Sequence, residues 1–313
     1  MKTERNFASK SAWVIMGSVL FLMACNNDEL DNRPVAAQIT ADIEQSVATR
    51  TTVGSQGGTI WESGDEIGIT TSGNGEKEYT NIIYTATTQE GKFEGAPIYF
   101  QDATATVTFI AYYPFNGNED SASGILENET SAENQDATGK HSKQSQIDYL
   151  WDETTGSNGQ PNIAFSFKHC MSQITLIFQD GLDTEVSKIK AYSIDGLVLE
   201  GTFNTNNGEA KSKETGTKEL SFTDIDAPTS KEALPSLIFY PQEVTDVTLK
   251  ITLDGQPYSC QLDFSQFTPA DKLEAGNNYT FTITVNKTGM TVNTSNIEPW
   301  NNDNQGTGDA EMS

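Results

Sequence analysis

The sequence predicts an all-β protein made of β-sandwiches, and three observations carry that expectation. From Trp61 onward, segments of about five to nine residues rich in Val, Ile, Thr, Tyr and Phe alternate with Gly, Asn and Pro turns. Hydrophobic residues make up only 35% of the chain, while Ser, Thr, Asn and Gly are abundant, which suits short strands and many turns. The strongest segment, IAFSFKHCMSQITLIF (163–178), alternates with Ile163, Phe165 and Phe167 on one face. It then changes parity, so that Ile174, Leu176 and Phe178 share the other face. A parity change at His169–Gln173 marks a bulge or a strand leaving one sheet for another. It is expected to be the hinge between two domains.

The elements follow in order. Lys2, Arg5 and Lys10 precede the apolar run AWVIMGSVLFLMA (12–24), too short for a comfortable membrane span and suited to a signal peptide over residues 1–24. The run ends in LMAC, the form of a lipobox, so Cys25 is expected to carry lipid and anchor the chain. A plain secretory signal with an incidental cysteine is the alternative. Residues 26–58 are polar, and AAQITADIEQSVATR within them supplies one edge strand at most. Strand signals then follow at EIGIT (66–70), YTNIIYTA (79–86), KFEGAPIYF (92–100) and ATVTFIAYYP (105–114). Residues 116–146, rich in Asn, Ser, Glu, Asp and Gly, are expected to form a surface loop. The second half repeats the style from SKIKAYSI to NYTFTITV. KFEGAPIYF and LVLEGTF, each leading to a strand that ends Tyr-Pro, hint at two related domains.

Charge and chemistry narrow the function. Net charge is −25, and loss of the signal removes three bases and one acid, leaving −27. Such a surface repels phosphate backbones and excludes nucleic acid as a partner. The sequence predicts no enzyme, no cofactor and no metal. Two distant histidines, His141 and His169, make no zinc site, and no HExxH, CxxC, GxSxG or phosphate-binding glycine loop occurs. DGLDTE and NNDNQG lack EF-hand spacing. His169 beside Cys170 on a strand faces the opposite way, so a structural role is expected. With Cys25 lipidated, Cys170 and Cys260 are expected to be structural thiols, a disulfide being the alternative that export would permit.

Several pieces together resemble the fimbrillin-like (Mfa-like) lipoproteins of Bacteroidetes, the pilins of type V fimbriae. They are the lipobox at Cys25, ATRTT (48–52), IWESGDEIGI (60–69) and TFIAYYPF (108–115). Further on come FSFKHCMSQITLIF (165–178), LEAGNNYTFTITVNKTGM (273–290) and IEPW (297–300). NNDELDN after Cys25 resembles the surface-export signal of such lipoproteins, and Asp-Ser-Ala at 120–122 resembles their O-glycosylation sequon, with Ser121 the acceptor.

The resemblance implies two transthyretin-like β-sandwich domains in tandem. The organisation expected is a lipidated pro-segment at 25–50, sandwiches at 51–165 and 166–300, and a polar tail at 301–313. It implies localisation in a surface fimbrium at the outer membrane, held through the lipid on Cys25. The partners implied are other fimbrial subunits and an Arg-specific surface protease that cuts after Arg50; Arg33 is disfavoured by Pro34. Removal of the pro-segment would take away a strand with apolar positions Val35, Ile39, Ile43 and Val47. A neighbouring subunit's strand would fill the groove, with Met290, Val292, Ile297 and Trp300 the candidate donor anchors. Shaft, accessory and tip roles stay open, the short tail pointing toward accessory or tip. The competing reading is a lipid-anchored surface glycan- or adhesion-binding protein that does not polymerise, with Trp61, Tyr112, Tyr113 and Trp151 as a stacking platform, although aromatics dominate sandwich interiors and these four are expected in the core.

Overall fold

In a computed structural model, residues 34–44, 61–88, 91–121 and 124–300 are described. Cys25, Val47 and Arg50 lie outside them. Among these residues the chain is all β, with three 3₁₀ turns and no α-helix. The first eight strands are β1 (Gln38–Ile43), β2 (Glu66–Ser72), β3 (Ile82–Ala86), β4 (Phe93–Gly95), β5 (Thr106–Tyr113), β6 (Ile125–Glu129), β7 (Leu150–Ser157) and β8 (Asn162–His169). They are followed by β9 (Ser172–Asp180), β10 (Ile189–Leu197), β11 (Glu200–Asn204), β12 (Ala210–Ser212), β13 (Lys218–Thr223) and β14 (Leu237–Phe239). The last six are β15 (Gln242–Glu243), β16 (Val247–Leu253), β17 (Gln256–Leu262), β18 (Lys272–Leu273), β19 (Asn277–Asn286) and β20 (Gly289–Pro299).

Seven strands form one sheet in the order β1-β8-β7-β5-β2-β3-β4. Every pairing in it is antiparallel except β1 with β8. Period-two patterning drives it: in β8 the residues alternate exposed and buried throughout, so one face carries Ile163, Phe165 and Phe167. These meet Trp61, Ile67 and Phe109 in a first core. A second core lies between the sheets β13-β10-β16-β17 and β14-β9-β19-β20, around Phe178, Ile194, Leu249 and Phe281. β9 and β19 pair in parallel at its centre.

A third apolar cluster joins residues of both halves of the sequence. Tyr149 stacks on Phe203, with centroids 4.5 Å apart and planes 5° apart, beside Tyr240 and Trp300. The parity change at His169–Gln173 is where β8 ends in the first sheet and β9 begins in another. His169 is buried there. Its Nδ1 lies 2.8 Å from Asp148 Oδ1 and its ring stacks on Trp300 at 4.3 Å.

Two expectations are corrected. The polar stretch 116–146 is not simply a surface loop. Its β6 pairs with β11 of the second half, and buried Gln135 both donates to Ile238 O and accepts from Ile238 N. Polar residues were placed inside because their amides satisfy backbone groups that water cannot reach. β1 is not an edge strand, because bridges reach it from its second flank as well.

Both Cys170 and Cys260 are free thiols, the first buried and the second half-buried. Burial pushes the Cys260 thiol up to about 11, and burial, then the Asp148 charge, pushes Cys170 further up. A thiolate is needed for alkylation, so reactivity rises only as pH climbs toward these raised values. In native protein Cys170 and Cys260 are expected to resist iodoacetamide at neutral pH, Cys260 to label as pH approaches about 11, and both to label after unfolding. Rapid labelling of either of these two thiols in the folded chain at neutral pH would contradict this burial.

Candidate functional site

The site is the slot that β1 occupies. Strict alternation sends Ala37, Ile39, Ala41 and Ile43 into the first core and leaves Gln38, Thr40 and Asp42 exposed. On one flank β1 runs parallel to β8, from Gln38 opposite Asn162 to Ile43 opposite Phe167. Gln38 N donates to Pro161 O at 2.8 Å and Glu44 N to Phe167 O at 2.7 Å. On the other flank the odd-numbered residues bond the segment around β4. Ala37 N donates to Ile98 O (2.8 Å), Ala41 N donates to Gly91 O (2.9 Å), and Phe100 N donates to Val35 O (3.0 Å). β1 therefore closes the seven-stranded sheet on itself, sitting between two strand segments that would otherwise be edges.

Two residues make room for this closure and fix it. Gly91 has φ +71°, and a Cβ there would sit 2.1 Å from Ala41 O, so only glycine allows the approach. Trp61, 3% exposed, donates its indole Nε1–H to the same Ala41 carbonyl at 2.7 Å. Its ring meets Phe93, Tyr113 and Phe167 edge-on at 5.0, 5.5 and 5.4 Å. The Trp61–Gly68 motif folds as a turn into β2. Buried Asp65 Oδ2 accepts from Glu62 N (2.7 Å) and Oδ1 accepts from Tyr113 Oη (3.1 Å), with His141 Nδ1 at 3.1 Å. Burial raises the Asp65 carboxyl above its ordinary value, against the lowering pull of Glu62 N, Tyr113 and His141. Gly68 has no Cβ because one would lie 2.4 Å from the Tyr112 ring, whose hydroxyl donates to Asn81 Oδ1 at 2.7 Å.

The energetic terms that hold β1 are of similar size and opposite sign. Burying its two isoleucines contributes about 3–6 kcal/mol. Ordering six residues costs a similar or larger amount, about 1–2 kcal/mol each. The ladder adds roughly 1 kcal/mol net per hydrogen bond.

The sequence-predicted residues fall as follows. Ile39 and Ile43 are buried in β1, and Val35 packs half-buried on the same core. Met290, Val292 and Ile297 lie in β20, half-buried against the second core and paired with Val285, Ile283 and Tyr279 of β19. Trp300 is buried, with its N donating to Gly276 O at 2.7 Å. The donor candidates are thus seated in this chain's own sheet, on its edge strand. Ser121 is exposed in a turn. Trp61, Tyr112 and Tyr113 are buried and Trp151 is half-buried, its Nε1 donating to Thr205 O at 3.1 Å, so these rings form no surface platform. Sequence reasoning did not find Gly91 or the role of the Trp61 indole; only the Trp-x-x-Gly-Asp pattern pointed near them.

An all-β sandwich protein, its first described strand seated between two other segments, is the class this geometry defines. A family profile described as fimbrillin-like matches residues 49–300, and the chain belongs to that family. A candidate fimbrium subunit, Fim1C, of Bacteroides uniformis is 26% identical over 315 residues, covering 94% of this chain and 96% of that protein. The crystal structure of a candidate cell adhesion protein from Bacteroides ovatus is similar, with TM-score 0.71, 27% identity, and coverage of 86% of this chain and 98% of the other. One from Bacteroides uniformis has TM-score 0.62, 25% identity, and coverage of 77% and 93%.

Gly91→Ala is expected to lower the melting temperature by about 2–4 °C, the equivalent of a loss near 1 kcal/mol, and to expose residues 38–43 to proteolysis. Unchanged melting and protection would contradict the tight Gly91–Ala41 approach.

Proposed function

We propose that the chain is a structural subunit of a cell-surface fimbria, exported as a lipoprotein, cut after Arg50 and assembled by donor-strand exchange. The observation that carries this reading is β1 itself. It is the first strand of the described residues and pairs in parallel with β8. It is clamped between two strand segments and joined to Trp61 through residues 45–60, where Arg50 lies. Among the described residues, a cut after Arg50 removes no other strand. It takes away the tether that gives β1 its high local concentration, and the groove left behind has apolar walls and unpaired backbone on both flanks. A strand from another subunit relieves both. Such a head-to-tail contact does not close, so it propagates as a filament. The names of the fimbrium-subunit and cell-adhesion relatives support the same reading.

In this proposal the lipid on Cys25 holds the precursor at the outer membrane, and an Arg-specific surface protease releases residues 25–50. Two transthyretin-like sandwiches, 51–165 and 166–300, form the subunit body. Val35, Ile39, Ile43 and Val47 leave with the pro-segment. Segment 288–300 of a neighbouring subunit is the proposed donor. In this conformation β20 pairs along its length with β19, so donation requires that pairing to open, whereas reception requires only the loss of β1.

Limited trypsin digestion of the exported chain tests the reading. A first cut after Arg50, then oligomers that survive SDS without boiling, are the expected products, and Arg50→Ala is expected to abolish both. Resistance of Arg50 while other basic sites are cut would overturn the processing step.

A further inference from the structure

We propose that Trp61 sets the position of whichever strand occupies the β1 groove, by gripping one carbonyl of that strand. The inference rests on the strand-exchange reading and adds to it the feature by which the groove recognises its occupant. Most bonds on the β4 flank are backbone to backbone, but one is not. The acceptor Ala41 O is met by the Trp61 indole N–H at 2.7 Å, while Ala41 N donates to Gly91 O at 2.9 Å. Residue 41 is therefore held through both its N–H and its C=O on the same flank, by groups of the groove wall.

The indole is well placed for this. Its ring is fixed by edge-on contacts to Phe93, Tyr113 and Phe167, which come from β4, β5 and β8. It is 3% exposed, so an empty groove with its walls in place leaves its N–H without the Ala41 carbonyl. The bond is made to backbone, so it demands no particular side chain. Side-chain size supplies the selectivity. The buried positions read Ala37, Ile39, Ala41, Ile43, small and large in turn. A slip by two residues keeps the apolar face inward but puts isoleucine where the clamped alanine belongs. The partner that fits is an extended strand running parallel to β8, with a small residue at the clamped position.

The test uses the full exported chain, nicked after Arg50, with a fluorescent tag on the seated N-terminal fragment. Excess untagged peptide spanning residues 34–44 is added and release of the tag is timed. Trp61→Phe keeps the ring and removes the donor, and is expected to speed release about three- to tenfold. A chase peptide with a thioamide in place of the Ala41 carbonyl should compete less well than the parent for the original chain and equally well for Trp61→Phe. Release at an unchanged rate from Trp61→Phe, or a thioamide penalty that persists in it, would overturn the inference while leaving strand exchange standing. A tag that never leaves either chain counts against strand exchange instead. In that case, or if Trp61→Phe does not fold, hydrogen exchange of the Trp61 indole N–H in the intact chain decides. Slow exchange matching the β1 amides supports the grip, and exchange at the solvent rate overturns it.

Discussion

The first half of the structure depends on the two-sided seating of β1. A seven-stranded sheet whose terminal strands do not meet would present two edges, each with a row of unpaired donors and acceptors. β1 satisfies both at once, through β8 on one side and Gly91, Ile98 and Phe100 on the other. Its side chains fill the core between them. Yet those side chains are two alanines and two isoleucines, a small apolar contribution for a strand so enclosed. The strand is positioned by many groups and fastened strongly by none.

The second half is built differently. Its central strands β9 and β19 carry aromatic and branched side chains, and Phe264, Phe267, Tyr279 and Phe281 form a packed aromatic set with centroids 5.1–5.7 Å apart. The link between the halves passes through β8. Its inner face lines the β1 groove, and its last residue, His169, stacks on Trp300 at the end of β20. The same strand therefore touches both the slot that β1 fills and the C-terminal segment.

Much of this was legible in the sequence where period two dominates. Ile163, Phe165 and Phe167 announced β8, and the parity change after them announced the change of sheet. Ile39 and Ile43 announced β1, although nothing in AAQITADI showed that it would be enclosed on both flanks, since pairing partners distant in sequence leave no local mark. The stretch 116–146 was misread because its buried members are polar. Gln135 is inside since it satisfies the backbone of Ile238, a reason invisible to hydrophobicity. Gly91 looked like any turn glycine, and the need for it appears only when Ala41 is placed against it. The Trp61 ring read as core, correctly, but its N–H could not be assigned a partner before β1 was placed.

The most direct measurement is amide hydrogen exchange on the intact chain and on the chain cut after Arg50. If β1 is held largely by its tether, the cut should speed exchange in residues 38–43 together with 91–100 and 162–167, while β9 and β19 keep their protection. Unchanged protection of β1 after the cut, or a uniform loss across both cores, would contradict an exchangeable first strand.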